Sequence, residues 1–261
     1  MKFLRAALVV MAAVCLLTGC IQVEEIVKLK PDGSGTIEET VLIPKAALAM
    51  MRQMAGNGGK PLDLFDEAKL KQAAVKMGDG VTYVSGKKVS TDAGEGFTAV
   101  YSFTDANQLK LNPNLADSMP GANASPDKDR KVEWMRFHFA KGNPAEVTLT
   151  MPPPTLNPNK AAKSNTVDDG ALQMMEQMLK DLKMTFAVET EGTISETNAA
   201  YHDGGRVTLL DVDFNKVLAD PEKFKALAKA NPQSMQEAKA LLKEIDGLKV
   251  ETSPEVKIKF Q

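Results

Sequence analysis

Apolar and polar residues alternate near the start of the chain with the two-residue period of β-strands. Two extended segments each place their apolar residues on one face, Val23, Val27 and Leu29 in the first and Ile37, Val41 and Ile43 in the second. Between them, Pro31-Asp32-Gly33-Ser34-Gly35 has the composition of a tight turn. The pattern predicts a β-hairpin that begins within a few residues of Cys20.

Helical periodicity appears in several later segments. The segment Lys45–Ala55 is apolar nearly all round, so it predicts a helix that is buried or contacts an apolar partner. A second helix is predicted after a cap at Asp63. The apolar stripes of the later helices are Leu70, Ala73, Ala74 and Met77, then Ala171, Met174, Met175, Met178, Leu179 and Leu182, and finally Met235, Ala238, Leu242 and Ile245.

Further strands alternate with these helices. They are predicted at 81–89, 96–103, 132–139 and 146–151, at 184–189 with a continuation to Ile194, and at 206–214, and the chain is predicted to finish as a hairpin of 248–251 with 256–260. Because the strands look hairpin-joined and antiparallel, the fold class is α+β, with helices packed on one face of the sheet or sheets. A ββααββ order occurs in Val23–Phe103 and again in Met184–Phe260. Duplication and coincidence both explain that order.

The amino-terminal segment has the features of an export signal. Lys2 and Arg5 precede an apolar run of about 12 residues, which is too short for a transmembrane helix of about 20. The run ends in Leu17-Thr18-Gly19-Cys20, which resembles the lipobox of bacterial lipoproteins. That resemblance implies cleavage before Cys20, transfer of diacylglycerol to its sulfur and often acylation of the new amino terminus. A plain signal peptide with an incidental cysteine is the alternative.

We therefore expect a signal peptide at 1–19 and one lipid-anchored extracytoplasmic domain at 20–261. Its sub-units would be 20–110 and 184–261, with an intervening segment 111–183. The expected location is the cell envelope, which means the periplasmic side if the cell is Gram-negative. Only Ile21 and Gln22 separate Cys20 from the predicted hairpin, so the folded body should lie close to the membrane surface.

Composition excludes several classes of protein. The formal net charge is −2 and no dense basic cluster occurs, so a nucleic-acid partner is not expected. The two cysteines are Cys15, in the predicted signal peptide, and Cys20, the predicted lipid site. The mature domain would then have no disulfide and no cysteine nucleophile, and its own apolar core must stabilise it.

No pattern of catalytic or metal-binding residues occurs. His138 and His202 are too few for a zinc site, and Asp32 begins a segment that lacks the other ligands of a calcium loop. Asp211 and Asp213 share one face of a strand, which we expect to face water. Ser195, His202 and Asp211 have no spacing that supports a triad. The sequence predicts a protein that is not an enzyme and needs no metal or cofactor.

The distribution of methionine is the feature of the composition that most strongly indicates an apolar binding surface. Two clusters have helical spacing, Met50, Met51 and Met54, and Met174, Met175 and Met178. Methionine suits adaptable apolar surfaces, but it also fills ordinary cores. The second cluster fits a core stripe. The first cluster, beside Gly56–Gly59, favours a movable element that binds an apolar ligand or touches lipid. Copper(I) binding by thioethers is a weaker alternative.

The Cys20 start, the Pro31–Gly35 turn and the segment Gly192–Ala199 together resemble uncharacterised bacterial lipoproteins of the LppM-like type. That resemblance implies a β-rich extracytoplasmic domain and possible lipid binding, and it implies no catalytic residues. The predicted function is a non-catalytic, lipid-anchored envelope protein that binds a lipid or another apolar ligand. The alternative is an interaction or assembly module that docks an envelope protein through its apolar helices.

Overall fold

The computed structural model describes residues 21–45, 47–49, 64–92, 94–115, 134–152, 169–230 and 235–261. The strands, numbered in chain order, are β1 (Ile21–Leu29), β2 (Gly35–Pro44), β3 (Thr82–Ser90), β4 (Gly94–Phe103), β5 (Lys110–Leu111), β6 (Met135–Ala140), β7 (Ala145–Thr150), β8 (Leu182–Thr190), β9 (Ile194–Thr197), β10 (His202–Asp203), β11 (Arg206–Asp213), β12 (Leu248–Val250) and β13 (Glu255–Phe260). The helices are α1 (Glu67–Met77), α2 (Asp169–Leu179), α3 (Phe214–Leu218), α4 (Pro221–Lys229) and α5 (Met235–Lys243).

The strands form two sheets. The larger sheet has the order β10-β11-β8-β1-β2-β4-β3, with β12 also paired to β11, and the smaller one has the order β5-β6-β7-β13-β9. β1 lies inside the larger sheet, antiparallel to β2 and parallel to β8. The strand nearest to Cys20 is therefore held by ladder hydrogen bonds on both sides.

One apolar core joins the two sheets. Residues from both belong to a single cluster of buried side chains, with Val27, Ile37 and Tyr101 from the larger sheet and Val147 and Ile258 from the smaller. Leu48, in the helical residues that follow β2, belongs to the same cluster. A second cluster joins α2, α3 and α4 to β11 through Leu172, Val212, Val217, Phe224 and Ile245. The class α+β fits this arrangement, in which strand predominates.

Local sequence signals explain where several elements begin. In the β1–β2 turn, Gly33 has a φ of 89°, which favours glycine, and the Asp32 carboxylate accepts hydrogen bonds from Ser34. The side chains of Asp66, Asp213 and Asp220 accept backbone N–H bonds at the starts of α1, α3 and α4. Pro221 follows the last of these caps at the first helical position.

The structure confirms the first hairpin and corrects three other predictions. The cap of α1 is Asp66 rather than Asp63, which lies outside the described residues. The strand β8 ends at Thr190 and does not continue to Ile194 as predicted. The chain leaves the larger sheet at Glu191 and Gly192, and β9 joins the smaller sheet.

The prediction that 248–251 and 256–260 form a hairpin was also wrong. β12 pairs with β11 in the larger sheet, whereas β13 pairs with β7 and β9 in the smaller sheet. In the first proposed repeat, β1, β2, β3 and β4 all lie in the larger sheet, while the strands of the second are divided between the two sheets. This topology does not establish a duplication.

Candidate functional site

The start of β1 marks the end of the larger sheet that lies nearest to Cys20. Ile21 pairs with Leu182, the first residue of β8, and Gln22 pairs with Leu42 near the end of β2. Neighbouring strands lie about 4.8 Å apart. The end of α2 and the helical residues after Pro44 therefore meet the sheet beside the residue that follows Cys20. We call this region the anchor-proximal end, after the predicted lipid site at Cys20.

The two predicted methionine clusters are both connected to the anchor-proximal end. Met50, Met51 and Met54 lie outside the described residues, in the segment that follows Leu48. The backbone of α2 is described, but the side chains of Met174, Met175 and Met178 are not. On α2 the buried residue is Leu172, which the predicted stripe omitted, and Leu179 packs against the same cluster.

A pair of buried carboxyl groups lies on the inner face of the larger sheet. Glu25 on β1 and Glu39 on β2 are directly opposite each other in the ladder. Their exposed fractions are only 6% and 8%, like those of the apolar residues around them. Along the strands their inner-face neighbours are Val23 and Val27 on β1 and Ile37 and Val41 on β2. The pair thus interrupts an apolar surface.

The two carboxyl groups have different hydrogen-bond partners. The hydroxyl of Tyr101 on β4 donates to Oε2 of Glu39 at 3.0 Å. Oε1 of Glu25 is buried and has no hydrogen-bond partner in the part of the chain that the structure describes. An unpartnered buried polar atom is costly and rare in folded proteins. The cost of burying Glu25 Oε1 is therefore not offset by a hydrogen bond within the described residues.

Burial disfavours the charged form of both acids. Burial, together with the smaller effect of the nearby Glu39 carboxyl, raises the pKa of Glu25 to about 8. Burial also raises the pKa of Glu39, although the hydrogen bond from Tyr101 opposes that shift. Burial, followed by the negative charge of Glu39, raises the pKa of the Tyr101 hydroxyl. At neutral pH Glu25 is therefore mainly a neutral carboxylic acid.

Aromatic rings extend from this pair toward the edge of the sheet. Tyr83 on β3 meets Tyr101 edge to face, with ring centroids 6.1 Å apart. The Lys71 ammonium of α1 lies 5.8 Å from the Tyr83 ring centroid and is paired with Glu67 at 2.7 Å. This cation contacts the tyrosine ring rather than either buried carboxyl group.

This pair was not among the candidate residues predicted from the sequence, although the alternation of the strands contains a signal for it. Glu25 lies two residues from Val23 and from Val27, and Glu39 lies two residues from Ile37 and from Val41. A strict two-residue period therefore places both acids on the buried face. The hairpin register that pairs Leu29 with Gly35 then sets them opposite each other.

Glu251 shows how this fold accommodates a buried carboxylate when donors are available. It is 5% exposed, and its oxygens accept backbone N–H bonds from Ala200, Thr252 and Ser253 at 2.7–2.8 Å. Burial alone would raise the pKa of Glu251, but these bonds lower it below the ordinary value. Glu25 has no such set of donors.

The smaller sheet carries a shallow polar groove of about 660 Å³ on its outer face. It lies over β7, β9 and β13, and its charged side chains are largely paired within it. Lys259 contacts Glu196 at 2.7 Å, and Lys257 contacts Glu255 at 3.2 Å. A groove of this polarity does not suit the apolar ligand that the methionine clusters predict.

The other candidate residues do not converge. His138 is exposed on β6, and His202 is exposed on β10. Ser195 lies in the smaller sheet, apart from His202 and Asp211 in the larger one. Asp211 pairs with Lys249 at 3.7 Å, and Asp213 pairs with Lys183 and caps α3.

Two searches of the described residues bear on metals and membranes. Within those residues, no three side chains of His, Cys, Asp or Glu come close enough together to hold a metal ion. Likewise, none of the helices there has the length and apolar character that a membrane crossing requires.

Comparisons with known proteins give one distant likeness. No protein-family model and no curated protein matches the chain. Among solved structures, the chain is similar to the NMR structure of the folded domain of the Mycobacterium tuberculosis LppM protein. The match has 12% sequence identity, covers 72% of this chain and 80% of that one, and has a TM-score of 0.30. It is a distant resemblance.

Proposed function

We propose that this protein is a lipid-anchored envelope protein that binds a lipid or another apolar ligand at its anchor-proximal end, without catalysis. The observation that carries the proposal is the register of β1 with its two neighbours. β2 ends and β8 begins beside Ile21, the residue after Cys20, and the chain that continues beyond these two strand ends carries the two methionine clusters. An acyl anchor at Cys20 would hold this end of the sheet at the membrane.

The composition of α2 supports an apolar ligand. Leu172 and Leu179 attach α2 to the second core cluster. The sequence of the same helix also contains Met174, Met175 and Met178. Methionine suits deformable apolar surfaces of the kind that bind acyl chains. Met50, Met51 and Met54 follow Leu48, which is buried in the main core.

The anchor is tested by replacing its cysteine. Cys20→Ser removes the sulfur that would receive diacylglycerol, so we expect a soluble or uncleaved exported protein in place of a processed, membrane-bound one. Fractionation of cells followed by a high-salt wash measures this. Cys15→Ser is the matched control, because that residue precedes the predicted cleavage site. A processed Cys20→Ser protein that stays with membranes after the wash would contradict lipid anchoring.

Ligand binding is tested at Met51. If this residue contributes to an apolar site, Met51→Ala should weaken binding of a fluorescent phospholipid analogue while the melting temperature changes little. If it packs in a closed core, the same change should lower the free energy of unfolding by about 2–5 kcal/mol. Binding is measured by a fluorescence titration of the purified protein, and stability by thermal unfolding.

Met77→Ala provides the control for the Met51 experiment. Met77 on α1 packs against the described core, so its replacement should reduce stability and leave probe binding intact. A large stability loss in Met51→Ala, with no probe binding by the unmodified protein, rejects the apolar ligand. That result would leave docking of an envelope protein through the apolar helices as the function.

A further inference from the structure

Glu25 and Glu39 occupy a place in the fold where two negative charges cannot coexist. They are ladder partners on the inner face of adjacent strands, and each is more than nine-tenths buried. Side chains directly opposite each other in a sheet have Cβ atoms about 5 Å apart. Two carboxylates at that range in a dry core repel strongly, so at least one must carry a proton while the sheet is closed.

No cation offsets this repulsion in the described part of the chain. The titratable groups that face the pair are the phenols of Tyr101 on β4 and Tyr83 on β3, and a phenol carries no positive charge. Lys71 of α1 lies beyond Tyr83 and is paired with Glu67. The strand β8 presents Phe186 opposite Glu25.

The remaining surroundings are apolar or lie on the other side of the sheet. The buried face of the smaller sheet consists of apolar residues, among them Phe137, Val147 and Ile258. Lys28 on β1 and Glu38 on β2 lie on the outer face of the sheet, where their side chains pair at 2.7 Å. A proton is therefore the simplest means of neutralising the pair.

We propose that Glu25 and Glu39 form a proton-operated switch, which keeps β1 and β2 closed on the core when protonated and opens them locally when a proton is lost. Among the residues that the structure describes, none donates a hydrogen bond to Oε1 of Glu25, so we expect water to solvate the carboxylate that forms. Water reaches it when the inner faces of β1 and β2 separate from the core. An extracytoplasmic domain is exposed to changes in external pH, so the switch would respond to alkalinisation.

Hydrogen exchange of the full-length protein in detergent micelles tests this switch. Exchange rates of peptides from β1 and β2 are measured by mass spectrometry from pH 5 to pH 8 and corrected for the intrinsic base-catalysed rate. Opening that releases one proton should accelerate the corrected rates about tenfold per pH unit over this window. Peptides from β6 and β7 serve as the internal reference and should show no such acceleration.

Two variants assign the effect to the pair. The acceleration in β1 and β2 should decrease in Glu25→Gln and disappear in the double variant Glu25→Gln/Glu39→Gln. Glu38→Gln, on the outer face of β2, is the matched control and should behave like the unmodified protein. If the double variant does not fold, the unmodified protein and Glu25→Gln still decide the matter.

Three results would each overturn the switch. The first is a corrected exchange rate in β1 and β2 that does not change with pH. The second is an equal acceleration in β6 and β7, which would indicate global unfolding rather than local opening. The third is an undiminished acceleration in Glu25→Gln.

Discussion

Glu25→Gln should make the protein more stable at pH 8 by about 2–5 kcal/mol, while leaving its stability near pH 4.5 almost unchanged. The folded-state pKa of Glu25 is raised from 4.5 to about 8, chiefly by burial. Below pH 4.5 the group is neutral in both the folded and the unfolded chain. Between pH 4.5 and pH 8 the unfolded chain gains stability by ionising, so folding stability falls by about 1.4 kcal/mol per pH unit.

Glutamine has nearly the same shape and no ionisation, so the variant avoids this loss. Urea unfolding at pH 4.5, 6 and 8 measures the difference. Glu38→Gln is the control, because its half-exposed ion pair with Lys28 should contribute less than about 1 kcal/mol at any pH. A Glu25→Gln variant that loses stability at pH 8 would mean that the folded protein stabilises the ionised carboxylate.

Gly35→Ala should reduce the free energy of unfolding by about 3 kcal/mol or more. Gly35 begins β2, where it pairs with Leu29 on one side and Phe103 on the other. A Cβ at this position would overlap the backbone oxygen of Lys28 and lie 2.6 Å from the Phe103 ring. Because a backbone oxygen within the ladder cannot move alone, the start of the β1–β2 pairing must shift.

Gly204→Ala is the matched control for this prediction. Gly204 has a φ of 57°, but an added Cβ would meet no heavy atom within 4 Å. Its replacement should therefore cost only the left-handed backbone penalty of about 1 kcal/mol. Urea unfolding of both variants is measured at pH 5, where Glu25 is largely neutral in the folded protein. The comparison separates the steric overlap at Gly35 from the backbone penalty at Gly204. Equal losses would mean that the sheet absorbs the extra carbon without opening.

The strands and their faces were predictable where local periodicity determines them. Apolar and polar residues alternate around Val23 and Ile37, and a turn of Gly, Asp and Ser lies between them. This alternation predicts β1 and β2 because successive side chains of a strand point to the buried and the solvent-exposed face in turn. The pairing of distant strands was not predictable in this way. Nothing in the sequence near Ser253-Pro254 distinguishes a hairpin from a crossing between two sheets, because that choice depends on β7 and β11.

The candidate site shows the same division. The start of β8 lies beside Ile21 because β1 and β8 pair in parallel, and no local pattern encodes that pairing. The inner-face position of Glu25 and Glu39 was predictable from their two-residue spacing to apolar neighbours. Glutamate, however, is usually assigned to the solvent-exposed face of a strand. Their burial depends on Tyr101 and on the covering core, which join them only in the folded structure.

The position of β1 also constrains the order of events during biogenesis. β1, the first strand that the structure describes, is an interior strand of the larger sheet, yet its parallel partner starts only at Leu182. In the proposed export of the chain, β1 and β2 would form their hairpin early, but the other edge of β1 would stay unpaired until most of the chain had been exported. That edge is a template for wrong strand pairing. A chaperone that shields nascent strands at the translocation channel would therefore increase the yield of this protein more than that of one whose first strand lies at a sheet edge.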